Sequence, residues 1–575
     1  MKKKTQFKSM FLCTGAAFVL LCFFPLSGFA ADDVQSLNDE IKILKDQLEN
    51  VQQKLEKIES TDSKKESRIE EMDDRLNKAE IHTATDKIAL GVELRTRADS
   101  IHYQDTRMAP QQLLSYFFIP FNPEGGGGFN GAPLDAIRMG MAGIGQSPLV
   151  VPDKVDVDND VIFTNKFRLN LSSKFNNQLS FGGRLAAYKV FGDSTGVKFN
   201  QGSLGDVTFD GNTSSLPHGD VIRLERAYFN YKTDWGTVPV NFSLGRRPST
   251  EGPPLEYANY SLEGGSPMAT IINWQFDGAS LSFGLEDQTG IPGADFKLCY
   301  GVGYEGDWGN SSSLSSPQPS VDDVHLFGFI TTLFNNDATS VVLNYARAWD
   351  ITDGFTGLTV MPFIVSKNDA NMDGTPEYYF SQNSGGFISR LEPMTNLGDW
   401  DAATLILRSN LADRLADIDV FMAGSWTHTD PSRISNNPFY EIMGMGLLSS
   451  NGELEARNGY NIYTGAVFPM PMDARLGLEY NWGSKYWFNF TGAEDSLVGS
   501  KLAVRGSAYE AYYLQPIFKN NFFVSLGGRM YDYQYTGSGN PLGKPVKISD
   551  VNSLDALNPV VDNAWDAYVS LTFRY

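Results

Sequence analysis

The chain has 575 residues, and its 68 acidic against 47 basic residues give a net charge of −21. This charge excludes a nucleic-acid-binding protein, because a phosphate backbone selects a basic surface. The 25 Tyr, 38 Phe and 55 Gly favour many strands and irregular loops over helices.

Residues 1–31 predict a secretory signal peptide. Four lysines in the first eight residues precede an apolar run over residues 10–26, and small residues follow at positions 28, 30 and 31. A membrane anchor is the alternative, but the run is short and is broken by Pro25. Cleavage would leave Cys299 as the single cysteine and 43 basic against 68 acidic residues, a net charge of −25. The mature fold must then hold without an internal disulfide.

Residues 32–81 predict an α-helical coiled coil in the periplasm. Apolar residues recur at alternating spacings of three and four, which is a heptad seam. We expect this stalk to self-associate, the alternative being an amphipathic helix packed on its own protein. Mixed β-branched and Leu seam residues do not decide between dimer and trimer, and we favour the trimer. The seam residues expected to mediate oligomerisation are Val34, Leu37, Ile41, Leu44, Leu48, Val51, Leu55, Ile58, Ile69, Met72 and Leu76.

From residue 82 to residue 575 the apolar period changes to two, which predicts half-buried strands. Charged residues lie in mid-strand on the polar face. A soluble sandwich also alternates, but a transmembrane barrel sets lipid against the apolar face and a hydrated interior against such charges. The residues expected to line the pore are Glu93, Arg95, Arg97, Arg168, Arg184, Arg247, Arg475, Glu479 and Arg529.

Alternating connection lengths predict the strand number. Short turns, such as 175–178 and 518–521, alternate with long Gly-, Pro-, Ser- and Asp-rich segments, such as 104–160 and 350–400. This is typical of a barrel with short periplasmic turns and long extracellular loops. We interpret 271–287 as one strand kinked at Gly278. The fold class is therefore all-β, an antiparallel barrel of sixteen strands, with eighteen as the alternative.

The third long connection, residues 248–270, predicts a constriction. Its acidic and aromatic side chains would face the basic wall across the pore if the loop folds inward. Opposed charges of this kind screen solutes by size and charge, whereas solvated wall charges are the alternative. The constriction residues are Glu251, Glu256, Tyr257 and Glu263.

One stretch resembles a calcium loop. Asp369, Asn371, Asp373 and Thr375 stand at the spacing of the first half of D-x-N-x-D-G, but Phe380 occupies the place of the bidentate Glu. Structural calcium is thus the one cofactor hypothesis, and an acidic surface turn is the alternative. The five histidines show no metal-site or nucleophile–base spacing, so we expect no enzyme and no catalytic residue.

Three long stretches carry a family resemblance: "LGRRPSTEG" (244–252), "FDGASLSFGLEDQTGIPGADFKLCYG" (276–301) and "GLEYNWGSKYWFNFTGAEDSLVGSKLAVRGSAYEAYYLQP" (477–516). They resemble a family of uncharacterised, porin-like bacterial outer-membrane proteins with a signal peptide, a short coiled coil and a barrel. The resemblance implies a location in the Gram-negative outer membrane and a β-barrel, and it transfers no catalytic residue.

These features predict a porin-like channel for passive diffusion of small hydrophilic solutes or ions. The alternative is a structural or interaction barrel that tethers the outer membrane to periplasmic material or sheathes a periplasmic electron-transfer partner. Outer-membrane lipid is an expected partner, and nucleic acid is not. The barrel assembly machinery is a second expected partner, with its signal at Val569, Leu571, Phe573 and Tyr575 in the terminal strand.

Overall fold

The structure is a computed structural model that contains two compact units, Met1–Thr83 and Ala84–Tyr575. In the first unit residues 42, 45–51 and 72 are described; they are helical, and Leu48, Val51 and Met72 are exposed. The predicted signal peptide and the other predicted seam residues lie outside the described part. The described residues are 42, 45–51, 72, 88–147, 150–192, 207–208, 217, 221–261, 264–306, 321–336, 338–354, 356–360, 363–370, 372–382, 388–391, 393–443, 446–448, 453–492, 496–539 and 543–575.

Sixteen of the described strands in the second unit close into an antiparallel barrel. Each strand pairs with its neighbours in sequence, and the first closes on the last with Glu93 opposite Arg574. The predicted number of sixteen is confirmed, and the alternative of eighteen is wrong. The strands are β1 (Ala89–Met108), β2 (Asp153–Lys174), β3 (Leu179–Val190), β4 (Arg223–Trp235), β5 (Val238–Arg246), β6 (Asp277–Gly284), β7 (Asp295–Tyr304), β8 (Val324–Asn335), β9 (Thr339–Thr352), β10 (Asn396–Asn410), β11 (Asp419–Pro431), β12 (Arg457–Pro469), β13 (Arg475–Gly483), β14 (Gly506–Phe518), β15 (Phe522–Tyr533) and β16 (Asn563–Arg574).

One predicted strand is shorter than expected. Strand β6 begins at Asp277, and residues 271–276 belong to the preceding connection instead. Ile271 and Trp274 are fully buried there, and Ile272 forms a parallel bridge with Phe490 of another connection. The apolar run looked like strand in the sequence because these side chains are buried in the lumen rather than turned to the outside.

The outward face of the barrel is apolar over the middle of the strands. Exposed apolar side chains lie on many strands, for example Leu94 on β1, Leu405 on β10, Met422 on β11 and Leu571 on β16. The residues directly before and after each of them turn inward. Exposed apolar side chains around a closed sheet are the arrangement that lipid requires. The barrel is therefore a transmembrane barrel.

A polar and aromatic belt marks the end of this apolar face near the long-connection rim. The three described histidines lie in it, each stacked on an aromatic ring: His102 on Trp565, His325 on Tyr300 and His428 on Trp426. At the short-turn rim, the exposed rings of Phe175, Trp235 and Phe518 form the opposite boundary. Amphipathic rings of this kind are enriched at both membrane interfaces.

The long connections pack together beyond the long-connection rim. Phe117, Phe363 and Phe380 are buried against one another, with the Phe117 and Phe363 ring centroids 4.5 Å apart. No helix among the described residues is both long enough and apolar enough to cross a bilayer. The α-helices are α1 (Gln111–Phe118), α2 (Leu134–Gly145), α3 (Glu286–Thr289) and α4 (Pro438–Met443), with 3-10 turns at Lys501–Ala503, Lys519–Asn521, Ile548–Asp550 and Asp555–Leu557; short strands outside the barrel are Ala132–Pro133, Val207–Thr208, Thr356–Val360, Phe363–Asn368, Glu377–Gln382 and Ile388–Leu391.

Candidate functional site in the barrel lumen

The connection from β5 to β6, residues 247–276, folds into the lumen; we call it the inward loop. Leu255 and Met268 are buried against the lumen-facing side chains of the wall. At its tip the Tyr260 hydroxyl donates to Oδ1 of Asn520 at 2.8 Å, and Asn520 lies in the short turn between β14 and β15. The inward loop thus reaches from one rim of the barrel to the other.

Glu251 of the inward loop binds two arginines of the wall. Arg168 Nη2 lies 2.6 Å from Glu251 Oε1, and Arg184 Nη1 lies 3.4 Å from Oε2. Both arginines also pair with Glu225, at 3.3 and 3.7 Å. All four side chains are at most 9% exposed. Charges this deeply buried are tolerated because each one is paired and hydrogen-bonded.

These contacts determine the ionisation of Glu251. Burial alone would raise the pKa of its carboxyl, but the Arg168 and Arg184 guanidiniums hold that pKa well below its usual range. Its backbone N–H also donates to Oδ1 of Asn273 at 2.7 Å, within the same loop. Glu251 is therefore a fixed negative charge that fastens the loop to β2 and β3.

The other predicted constriction residues lie further along the inward loop. Glu256 pairs with Arg408 of β10 at 2.5 Å, and the Tyr257 ring stacks on Phe421 of β11 with centroids 5.4 Å apart. Glu263 lies outside the described residues. The structure thus attaches Glu251 to one side of the wall and Glu256 with Tyr257 to another, so the inward loop spans the lumen.

A second connection, residues 484–505 between β13 and β14, also enters the lumen. Asn489 donates its side-chain N–H groups to the Thr270 carbonyl at 2.8 Å and to the Leu502 carbonyl at 2.9 Å, so the two connections hold each other. Trp487 is buried and donates to the same Leu502 carbonyl at 2.7 Å. The Lys501 ammonium binds Glu479 of β13 and Glu510 of β14.

Next to this ion pair, Tyr568 of β16 lies between two arginines. Its ring centroid is 4.0 Å from the Arg97 guanidinium and 5.1 Å from that of Arg529. Its hydroxyl donates to Glu510 at 2.9 Å, and Asp566 pairs with Arg529 at 2.7 Å. The ring lies flat on the wall because Gly527 beneath it has no side chain; a Cβ there would be 2.5 Å from the ring.

A polar cavity of about 80 Å³ lies between this wall and the inward loop. Since roughly 10–15 Å³ of such space suffices for one water, it has room for several waters or a small solute. Five of the nine predicted pore-lining residues border this cavity, and four do not. The lining residues that the sequence predicted are Glu93, Arg95, Arg97, Arg168, Arg529 and, from the constriction, Glu251.

The other predicted residues have different positions. Arg184 is buried behind Glu251, Glu479 is buried beneath Lys501, and Arg247 places Nη2 3.9 Å from the Cys299 sulfur. Arg475 lies at the short-turn rim, where it pairs with Asp417 at 2.9 Å and with Asp419 at 3.3 Å. Five of the predicted lining residues therefore cluster at the cavity, Arg184 and Glu479 lie behind residues that line it, and Arg247 and Arg475 lie elsewhere.

The residues of the calcium hypothesis cap a turn in the described part of the chain. The Asp369 carboxylate accepts the N–H groups of Asp373 and Gly374 at 3.1 and 2.9 Å, and Asp373 accepts that of Thr375 at 2.8 Å. Asn371 lies outside the described residues. Among the residues that are described, no three His, Cys, Asp or Glu side chains cluster as metal ligands. Calcium binding stays a prediction.

Several site residues gave no usable signal in the sequence. Glu225 and Arg226 are both buried because a bulge between β3 and β4 shifts the register there. Lys501 belongs to a connection, and only its packing in the lumen brings it to Glu479. Asp566 and Arg574 differ from these residues, because they alternate with the apolar residues of β16. The alternation of that strand therefore indicates that both side chains face the lumen.

Residues 156–575 match a family described as "Protein of unknown function (DUF3373)". The chain belongs to this family. The predicted resemblance to an uncharacterised porin-like family is thereby confirmed. A comparison with curated proteins gives no significant match.

Several solved structures match this chain over most of its length. High-pH Pseudomonas putida OprB is 10% identical over 87% of this chain and 96% of that one, with a TM-score of 0.40. The trimer form of in-vitro folded Vibrio cholerae OmpT, an outer-membrane protein, is 9% identical over 85% and 99%, with 0.36. Salmonella typhi OmpF in complex with daunomycin is 11% identical over 84% and 97%, with 0.35.

Proposed function

We propose that the protein is an outer-membrane channel for passive diffusion of small hydrophilic solutes. The observation that carries this proposal is the polar cavity between the inward loop and the charged wall of a closed sixteen-stranded barrel. A barrel of this strand number is wide enough to leave an aqueous channel, whereas an eight-stranded barrel is filled by its own side chains. Water inside and lipid outside account for the charged inner and apolar outer faces.

The ion pairs around the cavity explain how the passage would select solutes. Arg168 of the wall and Glu251 of the inward loop form a direct ion pair at 2.6 Å, and both residues line the cavity, so fixed charges of both signs border the passage. Because these charges are held by several contacts each, they keep their positions while solutes pass. The passage would therefore screen by size and charge and perform no chemistry.

A second candidate function is supported by the apolar packing inside the lumen. Trp400 of β10 is fully buried and contacts the Phe490 ring of the second connection with centroids 4.7 Å apart. Trp274 of the inward loop packs on Phe490 from the other side, at 5.2 Å. A lumen that holds such a core suits a structural or interaction barrel that tethers the membrane to periplasmic material or sheathes a periplasmic electron-transfer partner.

Conductance measurements distinguish the two functions. Purified, folded protein is inserted into planar lipid bilayers, and the channel function predicts discrete current steps in potassium chloride. Insertion is checked separately by floating proteoliposomes on a density gradient. Insertion without any current above the protein-free bilayer would overturn the channel proposal and favour the interaction barrel.

The location and assembly state are part of the same proposal. The apolar band and the two aromatic boundaries support residence in the outer membrane, with the short turns toward the periplasm. We propose that the N-terminal segment is a periplasmic coiled coil that joins several copies. Membrane fractionation tests the location, and cross-linking of full-length protein against a chain that lacks residues 32–81 tests the role of the segment. A monomer in both cases would contradict that role.

A further inference from the structure

The strip of wall formed by β1, β16 and β15 carries hydroxyl groups between its cations. The register places Arg95 opposite Thr572, and Arg97 opposite Ser570, which in turn lies opposite Ser525. All of these residues line the cavity. None of the hydrogen bonds among the described residues involves the hydroxyl of Ser525, Ser570 or Thr572. They are available as donors to a bound molecule.

The charges around the cavity are unequal. Among the described residues that line it, six are cationic and three are anionic. The acidic groups are already engaged: Glu251 by Arg168, Glu93 by Arg574, and Glu510 by Lys501 and Tyr568. The cations are paired too, Arg97 with Asp99 at 2.5 Å and Arg529 with Asp566 at 2.7 Å, but neither of these carboxylates lines the cavity. The groups that border its open space are therefore mainly cationic and hydroxyl donors.

The orientation of the cations strengthens this asymmetry. Tyr568 and Asp566 hold the Arg97 and Arg529 guanidiniums against the wall. Arg95 is placed by Tyr188, whose ring centroid lies 5.6 Å from the guanidinium. Fixed guanidiniums beside hydroxyls are the donor set that binds planar or tetrahedral oxyanions, because several charge-assisted hydrogen bonds form at once.

We propose that this cavity is a binding site for small oxyanions, a class that includes inorganic phosphate and short carboxylates. The ligand accepts hydrogen bonds from Arg95, Arg97 and the Ser525, Ser570 and Thr572 hydroxyls. A role of this site in the passage of solutes depends on the proposed channel function. Binding of an oxyanion at the site does not depend on it. It gives the channel a solute class that neither its strand number nor its family provides.

Binding of inorganic phosphate to the purified, folded protein in detergent tests the site by isothermal titration calorimetry. We expect saturable binding that is weakened at least about tenfold by Arg95→Gln, since one charge-assisted hydrogen bond contributes roughly that factor. The double change Ser570→Ala with Thr572→Val keeps every charge and should weaken binding by a similar factor. The control is Lys297→Gln, which removes a cation from β7, outside the lining of this cavity, and should leave phosphate affinity unchanged.

The outcomes separate this proposal from the channel. Absence of saturable phosphate binding by the wild-type protein, or equal weakening by Lys297→Gln, would overturn the oxyanion site even if the bilayer shows current. Saturable binding without any current would support the site and overturn the channel. If Arg95→Gln does not fold by circular dichroism, the hydroxyl double variant still decides the question, because unchanged affinity in it would contradict the proposal.

Discussion

Arg574 and Glu93 form an ion pair that joins the last strand of the barrel to the first. Arg574 Nε lies 2.7 Å from Glu93 Oε2. The two remaining guanidinium nitrogens donate to the carbonyl oxygens of Asn259 and Tyr260 at the tip of the inward loop. One side chain therefore connects closure of the sheet with the position of the loop, so a change there affects both.

Substitution of Arg574 by Gln should destabilise the barrel. We expect the free energy of unfolding to fall by about 1–3 kcal/mol, because three charge-assisted contacts of Arg574 are lost. The loss is limited because the ion pair with Glu93 is partly exposed to solvent. Urea unfolding followed by tryptophan fluorescence measures this change. Arg475→Gln is the matched control, since Arg475 lies at the same rim with acidic partners but does not contact the inward loop. An equal loss in both variants would contradict the link to the loop.

The Glu251 carboxylate should make stability depend on pH in acid. Arg168 and Arg184 hold its folded pKa well below the value of about 4.3 for an unfolded Glu. The unfolded chain therefore binds a proton at a higher pH than the folded one, so this contribution is complete above about pH 4.3 and is lost as pH falls further.

Glu251→Gln checks this dependence. At neutral pH we expect a loss of about 3–5 kcal/mol, because two buried arginines lose an anionic partner. The difference between wild type and variant should then narrow as the pH of the urea titration is lowered from 5 to 3. Glu256→Gln, at a pair that is about a quarter exposed, is the control and should cost about 1 kcal/mol or less. A constant difference for Glu251 across this range would contradict the assignment.

The barrel could be predicted from the sequence because each strand shows the alternation of apolar and polar residues by itself. Glu93, Arg95 and Arg97 alternate with lipid-facing Leu94, and this alternation requires no knowledge of other strands. The lumen is different, because its contents are set by contacts between distant segments. Ile271 and Trp274 resemble strand residues until the inward loop is seen to bury them, and Lys501 meets Glu479 only after its connection enters the barrel.

Packing of the second connection should control how open the lumen is. Trp487 is 1% exposed and donates to the Leu502 carbonyl, so Trp487→Ala leaves a void and removes one of the two side-chain hydrogen bonds to that carbonyl. We expect a loss of about 3–5 kcal/mol in unfolding free energy together with a larger single-channel current. Trp235→Ala, at an exposed position on the short-turn rim, is the control. Unchanged current in a Trp487→Ala protein that is folded and inserted would show that this connection does not restrict the passage.

The apolar outer face predicts how a charge is tolerated there. Leu405 turns outward on β10 between the polar belt and the short turn, and Leu415 is exposed in that turn. Leu405→Arg should lower the free energy of unfolding by about 2–4 kcal/mol, because lipid near the middle of the bilayer desolvates the arginine. Leu415→Arg, with the same change of residue, should cost about 0–1 kcal/mol. Refolding into liposomes measures both, and equal yields would contradict the position assigned to the membrane.

The terminal strand should decide whether the barrel assembles at all. Val569, Leu571, Phe573 and Tyr575 turn outward, and the Tyr575 backbone exchanges N–H and C=O hydrogen bonds with Val92 at 2.8 Å. Loss of residues 573–575 removes two of these outward side chains and leaves the edge of β1 unpaired near Val92, and an unpaired edge is a template for aggregation. We expect outer-membrane levels to collapse and the protein to accumulate in the periplasm, as measured by fractionation and immunoblotting. A Tyr575→Phe variant keeps the ring and the backbone pairing and should assemble normally. Normal levels of the truncated chain would show that β16 neither carries the assembly signal nor needs its last residues to close the sheet.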